Sequence, residues 1–366
     1  MYTLPKISII PNKDINEINK SQKKQGFINK INNLDRLNGC KYPIIDAHVH
    51  VVDFNQKIEN LEDLLYYMDK SNILKAVIFG LPVKKNWAEN ERLKPAYYLE
   101  DDSPCYYYSF TDTLIAQEYL KLSKEKQDRL YPLICGFNPM DIDAIEHIKY
   151  MFKYFPGVFS GIGEIFYRHD DLTLLTYGDS IRINTKATYP ILEFATDYDL
   201  PILIHNNITS AGISDNPKYL YELEKVLKEF PKAKVVLAHC GASRRVYAPY
   251  YHKMVERILN EYPSLYIDYS WIIFEEIITK DIDSQERWLD ITEKFSDRIM
   301  IGSDVLGNTI HKIGATNSKY NDFLTNLSEK ARQNVCINTA MGLYGNSKNK
   351  VENGEKRTYC FLEELG

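Results

Sequence analysis

The spacing of apolar residues along this chain changes near position 42. Residues 1–40 are rich in asparagine and lysine, with a weak helical pattern through Ile15, Ile18, Phe27, Ile28, Ile31 and Leu34. Such a segment reads as an extension that wraps the main fold or meets a partner chain. From Ile44 onward, short apolar runs alternate with amphipathic stretches. The runs are IIDAHV, KAVIFG (75–80), YPLICGF (131–137) and FSGIGEI (159–165). They continue as LPILIH (200–205), KVVLAHC (234–240), SLYIDYS (264–270) and RIMIGSD (298–304). Near-continuous apolar runs of this length mark strands buried on both faces of a parallel sheet. The segments between them carry helical spacing. NPKYLYELEKVLKEF (216–230), for example, opens on Asn and Pro, as helix starts do. Eight successive strand–helix units predict an α/β fold, a (β/α)8 TIM barrel, over residues 42–345. An N-terminal extension (1–41) precedes it, a tail (346–366) follows, and the closing helix is expected near 331–345.

Two connections are too long for simple turns. Residues 81–110, after the second run, are crowded with tyrosine, and residues 166–187 follow the fourth. Long aperiodic loops in a compact domain are usually lids or binding loops. The tyrosines need burial, so 81–110 is expected to form a lid or a subunit contact over the barrel mouth.

Polar residues interrupt these greasy runs at particular places. In YPIIDAHVHV (42–51), strict strand alternation sets Asp46, His48 and His50 on one face, opposite Ile45, Ala47, Val49 and Val51. A lone His-x-His is more often a hydrogen-bonded core pair than a metal site. Here, however, the anomaly recurs: the fourth run ends in Glu164, the fifth in His205, the sixth in His239 and the eighth in Asp304. In a TIM barrel the C-terminal strand ends share one rim, where active sites are built. Six His and carboxylate side chains converging there have the donor types of a catalytic metal centre.

Bulk properties narrow the partners. Of 366 residues, 44% are hydrophobic and 26% charged, an ordinary globular balance with a net charge of −5. No long basic run supplies the footprint of a nucleic-acid binder, and no stretch approaches the ~20 apolar residues of a membrane span. The first twenty residues lack a secretory pattern. The six cysteines (Cys40, Cys105, Cys135, Cys240, Cys336, Cys360) show no C-x-x-C spacing. Reduced thiols in a cytoplasmic protein fit that distribution.

Taken together, IIDAHVHV, GIGEI, PILIHNN, VVLAHCG, MIGSD and NTAMGLYG resemble, in this order, the amidohydrolase superfamily of metal-dependent TIM-barrel enzymes. The resemblance covers about 42–345 and is nearest to the amidohydrolase-related, or amidohydrolase-2, branch of hydrolases, lactonases and metal-dependent decarboxylases. It implies that His48, His50, His205 and Asp304 bind metal, with Asp304 also shuttling the proton of the attacking water. It makes His239 a further ligand or a catalytic acid/base. Glu164 would bridge two metals, as in TatD-like members, or pair with Arg168 in a one-metal site. Asp46 would hold a histidine ring by a hydrogen bond. One or two divalent ions are implied, zinc first, with manganese or iron as alternatives. Arg168, Arg244, Arg245 and Asn206 are candidates for substrate contacts, and Tyr269 and Trp271 for pocket walls. The expected activity is hydrolysis of a small carboxylated ester, lactone or amide. Non-oxidative decarboxylation is the main alternative and a TatD-like nuclease a further one. A small-molecule substrate, no nucleic-acid or membrane partner and a possible homo-oligomer complete the expectation.

Overall fold

The structure, a computed structural model, describes residues 39–354 apart from 90, 96, 101–102, 109, 170–171, 173–180, 210–216 and 245–248. Eight parallel strands form the anticipated TIM barrel: β1 (Ile44–His50), β2 (Ile73–Phe79), β3 (Leu130–Ile134), β4 (Gly161–Phe166), β5 (Pro201–His205), β6 (Lys234–Leu237), β7 (Leu265–Asp268) and β8 (Ile299–Met300). Each pairs with the next in chain order. The seam between β8 and β1 closes through Ala47 N–H to Ile301 O (2.9 Å), Asp304 N–H to His48 O (2.8 Å) and His50 N–H to Val305 O (3.0 Å). The predicted helix at 216–230 runs over Leu220–Glu229, after a turn at Pro217. Residues 329–344 form the closing helical segment.

Strict alternation fails in β1, and the failure matters. Asp46 pairs with Ala76 and Val49 with Ile78, so three steps on β1 face two on β2. Such a bulge turns the following side chains to the other face. Ile45 and Ala47, placed by alternation, join Val77, Phe79, Leu133, Leu203 and Met300 in one buried apolar cluster. Above the bulge, His48 and His50 lie with their rings 4.9 and 4.6 Å from the Phe79 ring. Asp46 goes the other way. Its Oδ2 accepts from Asn317 Nδ2 (2.6 Å), and its Oδ1 from the backbone of His48 (3.1 Å) and Ser303 (2.9 Å). The expectation that Asp46 shares the histidine face and holds an imidazole is corrected: it braces the backbone that carries His48.

β4 shows the same device. Ile162 pairs with Ile202 and Ile165 with Ile204, again three steps against two, and Glu164 sits within the slip. Gly163 permits it. Its φ is 131°, and a Cβ there would meet Leu203 O at 2.3 Å.

Segment 81–110 contributes a two-stranded hairpin, Val83–Lys85 with Cys105–Tyr107. Its side chains form a second cluster in which Leu81, Val83, Tyr98 and Cys105 pack with Phe54, Phe166 and Leu172. Buried Lys85 holds the loop, its Nζ donating to Tyr98 O (3.1 Å) and to Ser103 O. At the other end of the barrel, Lys348 from the tail donates to Tyr119 Oη (2.6 Å), Gln127 O (3.1 Å) and Leu130 O (2.8 Å). The described cysteines are buried thiols. Among the described residues no helix is long and apolar enough to cross a membrane.

Candidate active site

The structure brings together His48, His50, Glu164, His205, His239 and Asp304, the six polar residues of the strand ends. Glu164 is central. Its Oε2 lies 3.5 Å from His48 Nε2 and 3.3 Å from His50 Nε2. Its Oε1 lies 3.2 Å from His205 Nδ1 and 3.7 Å from His239 Nε2. Asp304 Oδ1 completes the first group, 3.4 Å from His48 Nε2 and 3.3 Å from His50 Nε2.

These separations fit metal ligation. Nitrogen and oxygen ligands held tetrahedrally at roughly 2.0–2.2 Å lie about 3.3–3.6 Å from each other. The His48, His50, Glu164 and Asp304 atoms meet that spacing on every contact quoted, and Glu164, His205 and His239 come close to it on the second side. Two further observations agree. His48 Nε2 is buried and has no hydrogen-bond partner. The remaining ring nitrogens are tied elsewhere: His48 Nδ1 to Asp268 Oδ2 (3.1 Å), His50 Nδ1 to Gly80 O (2.8 Å) and His205 Nε2 to Asn207 Oδ1 (3.1 Å). Ligating histidines are held in this way through their other nitrogen.

Charge tells the same story. Burial pushes the Glu164 carboxyl up, but His48, His205 and His50 around it prevail and hold it well below the usual carboxylate range. Burial pushes His50 down, yet Asp304 and Glu164 raise it to about 9. The buried carboxylates thus demand positive charge between them, which protons or a cation can supply. His239 differs: burial dominates and holds it at about 4, so it is neutral near pH 7.

Beside the cluster lies a cavity of about 210 Å³, walled by Tyr97, Tyr98, His169, Arg244 and Trp271 as well as by His50, His205 and His239. The tyrosine-rich segment therefore sits at the barrel's active mouth, where a lid was expected. Arg244 Nη2 donates to Tyr97 Oη (3.0 Å) and Tyr98 Oη (2.7 Å), and its guanidinium lies 4.6 Å from the Trp271 ring.

A family model described as Amidohydrolase matches residues 45–345. The chain belongs to the amidohydrolase-2 family. It is an enzyme of the amidohydrolase type. Solved structures share the fold at low identity. A probable 2-pyrone-4,6-dicarboxylic acid hydrolase from Acinetobacter baumannii, with citric acid bound, is 14% identical at a TM-score of 0.52, over 83% of this chain and 99% of that one. A 4-oxalomesaconate hydratase from Rhodopseudomonas palustris is 12% identical at 0.50, over 85% and 98%. A TIM-barrel protein from Bordetella bronchiseptica is 12% identical at 0.50, over 82% and 98%. No curated protein matches the chain by sequence.

Within this amidohydrolase, not every candidate stands at the cavity. Arg168 Nε and Nη2 grip buried Glu222 at 2.7 and 2.8 Å, with the guanidinium 3.6 Å from the Tyr219 ring. Glu222 lies on the helix after β5, so Arg168 ties β4 to that helix. It does not line the described cavity, and its carboxylate partner is Glu222 rather than Glu164. Asn206 is fully buried and outside the cavity wall. Tyr269 is likewise buried elsewhere, with its hydroxyl 2.9 Å from Thr292 Oγ1. Arg245 lies outside the described residues.

Three residues escaped the sequence reading. Asp268 ends β7 fully buried and holds His48. Burial pushes its carboxyl up, but His48 outweighs that and keeps it at about 2. Ser270 Oγ lies 2.8 Å from His239 Nδ1. His169 stacks on His205, with centroids 4.3 Å apart. Asp268 did carry a signal, a strand-end carboxylate in SLYIDYS like those of the fourth and eighth runs. His169 sits in an irregular loop, where no periodicity points to it.

Proposed function

We propose that this enzyme is a two-metal hydrolase of a small carboxylated ester, lactone or amide. The observation that carries the reading is the division of Glu164: one oxygen faces His48 and His50, the other His205 and His239. His48, His50, Glu164 and Asp304 would hold one divalent ion; Glu164, His205 and His239 would hold a second. Zinc suits this nitrogen and carboxylate set, and manganese or iron are alternatives. Bound there, the ions would supply Lewis acidity, which lowers the pKa of water from 15.7 to about 7.

The chain's own residues do the rest. Burial raises the Asp304 carboxyl, but His50 and His48 hold it below the usual range, so it stands ionised as a base. Its side chain, 14% exposed, is the most accessible of the cluster's carboxylates. Asp304 takes the proton of the attacking water and returns it to the leaving group, as a positioned base then acid. Arg244, framed by Tyr97, Tyr98 and Trp271, suits a substrate carboxylate through its planar donors. The cavity volume favours a small molecule over a nucleic acid, and the acidic net charge agrees. A cytoplasmic location accords with the sequence.

Turnover of a panel of carboxylated lactones, esters and amides, run in parallel in oxygen-18 water and in deuterium oxide, tests this. Hydrolysis places the label in the product carboxylate. Carbon dioxide release, with solvent deuterium on carbon and no label uptake, would replace the reading by decarboxylation.

A further inference from the structure

Asp268 and Ser270 stand one residue apart at the end of β7, yet between them they touch histidines of two other strand ends. Asp268 Oδ2 accepts from His48 Nδ1 at 3.1 Å. Its Oδ1 accepts from the backbone N–H of His239 (3.0 Å) and of Ser270 (3.1 Å), and from the Ser270 hydroxyl. Ser270 Oγ lies 2.8 Å from His239 Nδ1. All four residues are buried.

Counting protons settles the direction of each bond. An ionised carboxylate only accepts, and a hydroxyl has one proton to give. Ser270 gives that proton to Asp268, so toward His239 it offers only lone pairs. His239 must then carry its proton on Nδ1, which leaves Nε2, the atom facing Glu164, unprotonated with its lone pair free. His48 likewise presents its Nδ1 proton to Asp268 and its Nε2 to the cluster. The pair also anchors a strained turn. His239 and Cys240 adopt left-handed backbone angles, φ 53° and 54°, and the Asp268 bond to the His239 N–H holds them there.

We propose that Asp268 and Ser270 are positioning residues that lock His48 and His239 in the tautomer presenting Nε2, and so couple the two ion subsites through one carboxylate. The coupling rests on the two-metal reading above; the tautomer lock does not. Asp268 serves the first subsite directly through His48 and the second through Ser270 and His239. Loss of Ser270 should therefore disturb the second subsite alone, and loss of Asp268 both.

The test uses the full chain with ¹⁵N-labelled histidine, stripped with chelator for the spectra and returned to Zn²⁺ only for the titration. Long-range proton–nitrogen spectra at pH 8, above the titration of an ordinary imidazole, report which ring nitrogen carries the proton. His239→Gln identifies the resonance. The expected result is an Nδ1–H ring for His239, lost in Ser270→Ala and restored in Ser270→Thr. Zn²⁺ titration of Ser270→Ala should show one tight ion as before and a second weakened about 10–100-fold. An Nε2–H ring in the unaltered protein would overturn the lock. So would a Ser270→Ala variant with unchanged tautomer. Equal weakening of both ions in that variant, or no weakening, would overturn the coupling. If no Zn²⁺ binds at all, the two-metal reading falls and the coupling with it, while the tautomer result still decides the lock.

Discussion

The same strands behave differently low and high in the barrel. In the apolar layer, Ile45, Ala47, Val77, Leu133, Leu203 and Met300 pack into one cluster, and alternation places each of them. A few residues further along, β1 and β4 each slip by one register step. His239, Cys240, Trp271 and Asp304 take left-handed angles, φ 53°, 54°, 66° and 55°. Apolar packing asks only for regular strands of the right width. Six polar side chains aimed at one point ask for side chains turned off the regular pattern, and bulges and left-handed turns supply that. Such conformations cost of order 1–3 kcal/mol each and persist where surrounding structure enforces them. The lower layer stabilises; the rim spends part of that stability on geometry.

Substitutions can break this contrast, and the largest effect should fall on chemistry at the rim. Asp304→Asn should keep fold and metal yet lose about 10²–10⁴-fold in kcat, once a substrate from the panel is in hand. Unfolding of that variant at room temperature would show that the rim carries stability after all. Arg168→Ala sharpens the other side. It leaves Glu222 buried without its bidentate partner, and removing one member of a buried pair typically costs about 3–5 kcal/mol. Denaturant unfolding should show that loss with KM unchanged. A raised KM at normal stability would restore Arg168 to the substrate. Leu203→Ala, in the apolar layer, should cost about 2–5 kcal/mol without changing metal content.

The smallest effect lies at the barrel's far end. Burial lowers Lys348 from 10.5 to about 8. Between those values the folded protein binds fewer protons than the unfolded chain, so this residue's contribution to stability rises with pH from about 8 to 10.5. Lys348→Met should remove that part of the pH dependence, and thermal melts across this range would reveal it. An identical slope in both proteins would contradict the assignment.

Much of this was legible in the sequence, for physical reasons. Strands buried on both faces must be apolar, so the eight runs announced themselves, and so did the polar residues that broke them. What alternation could not reveal was the bulge in β1, which has no glycine to mark it as Gly163 marks the slip in β4. Asp46 was therefore placed with the histidines although it faces Asn317. Arg168 and Arg244 look alike in the sequence; a partner 54 positions away, Glu222, separates their roles. His169 follows β4 within a loop, and only the stacking on His205 brings it into view.

The proposed assembly of two ion subsites around Glu164 by the irregular rim fixes a stoichiometry. Metal content of the purified, chelator-free protein and of Glu164→Gln tests it most directly, by elemental analysis after equilibration with Zn²⁺. Two equivalents are expected in the unaltered protein, falling towards one in the variant. Two equivalents in both, or a folded protein that takes up none, would contradict it.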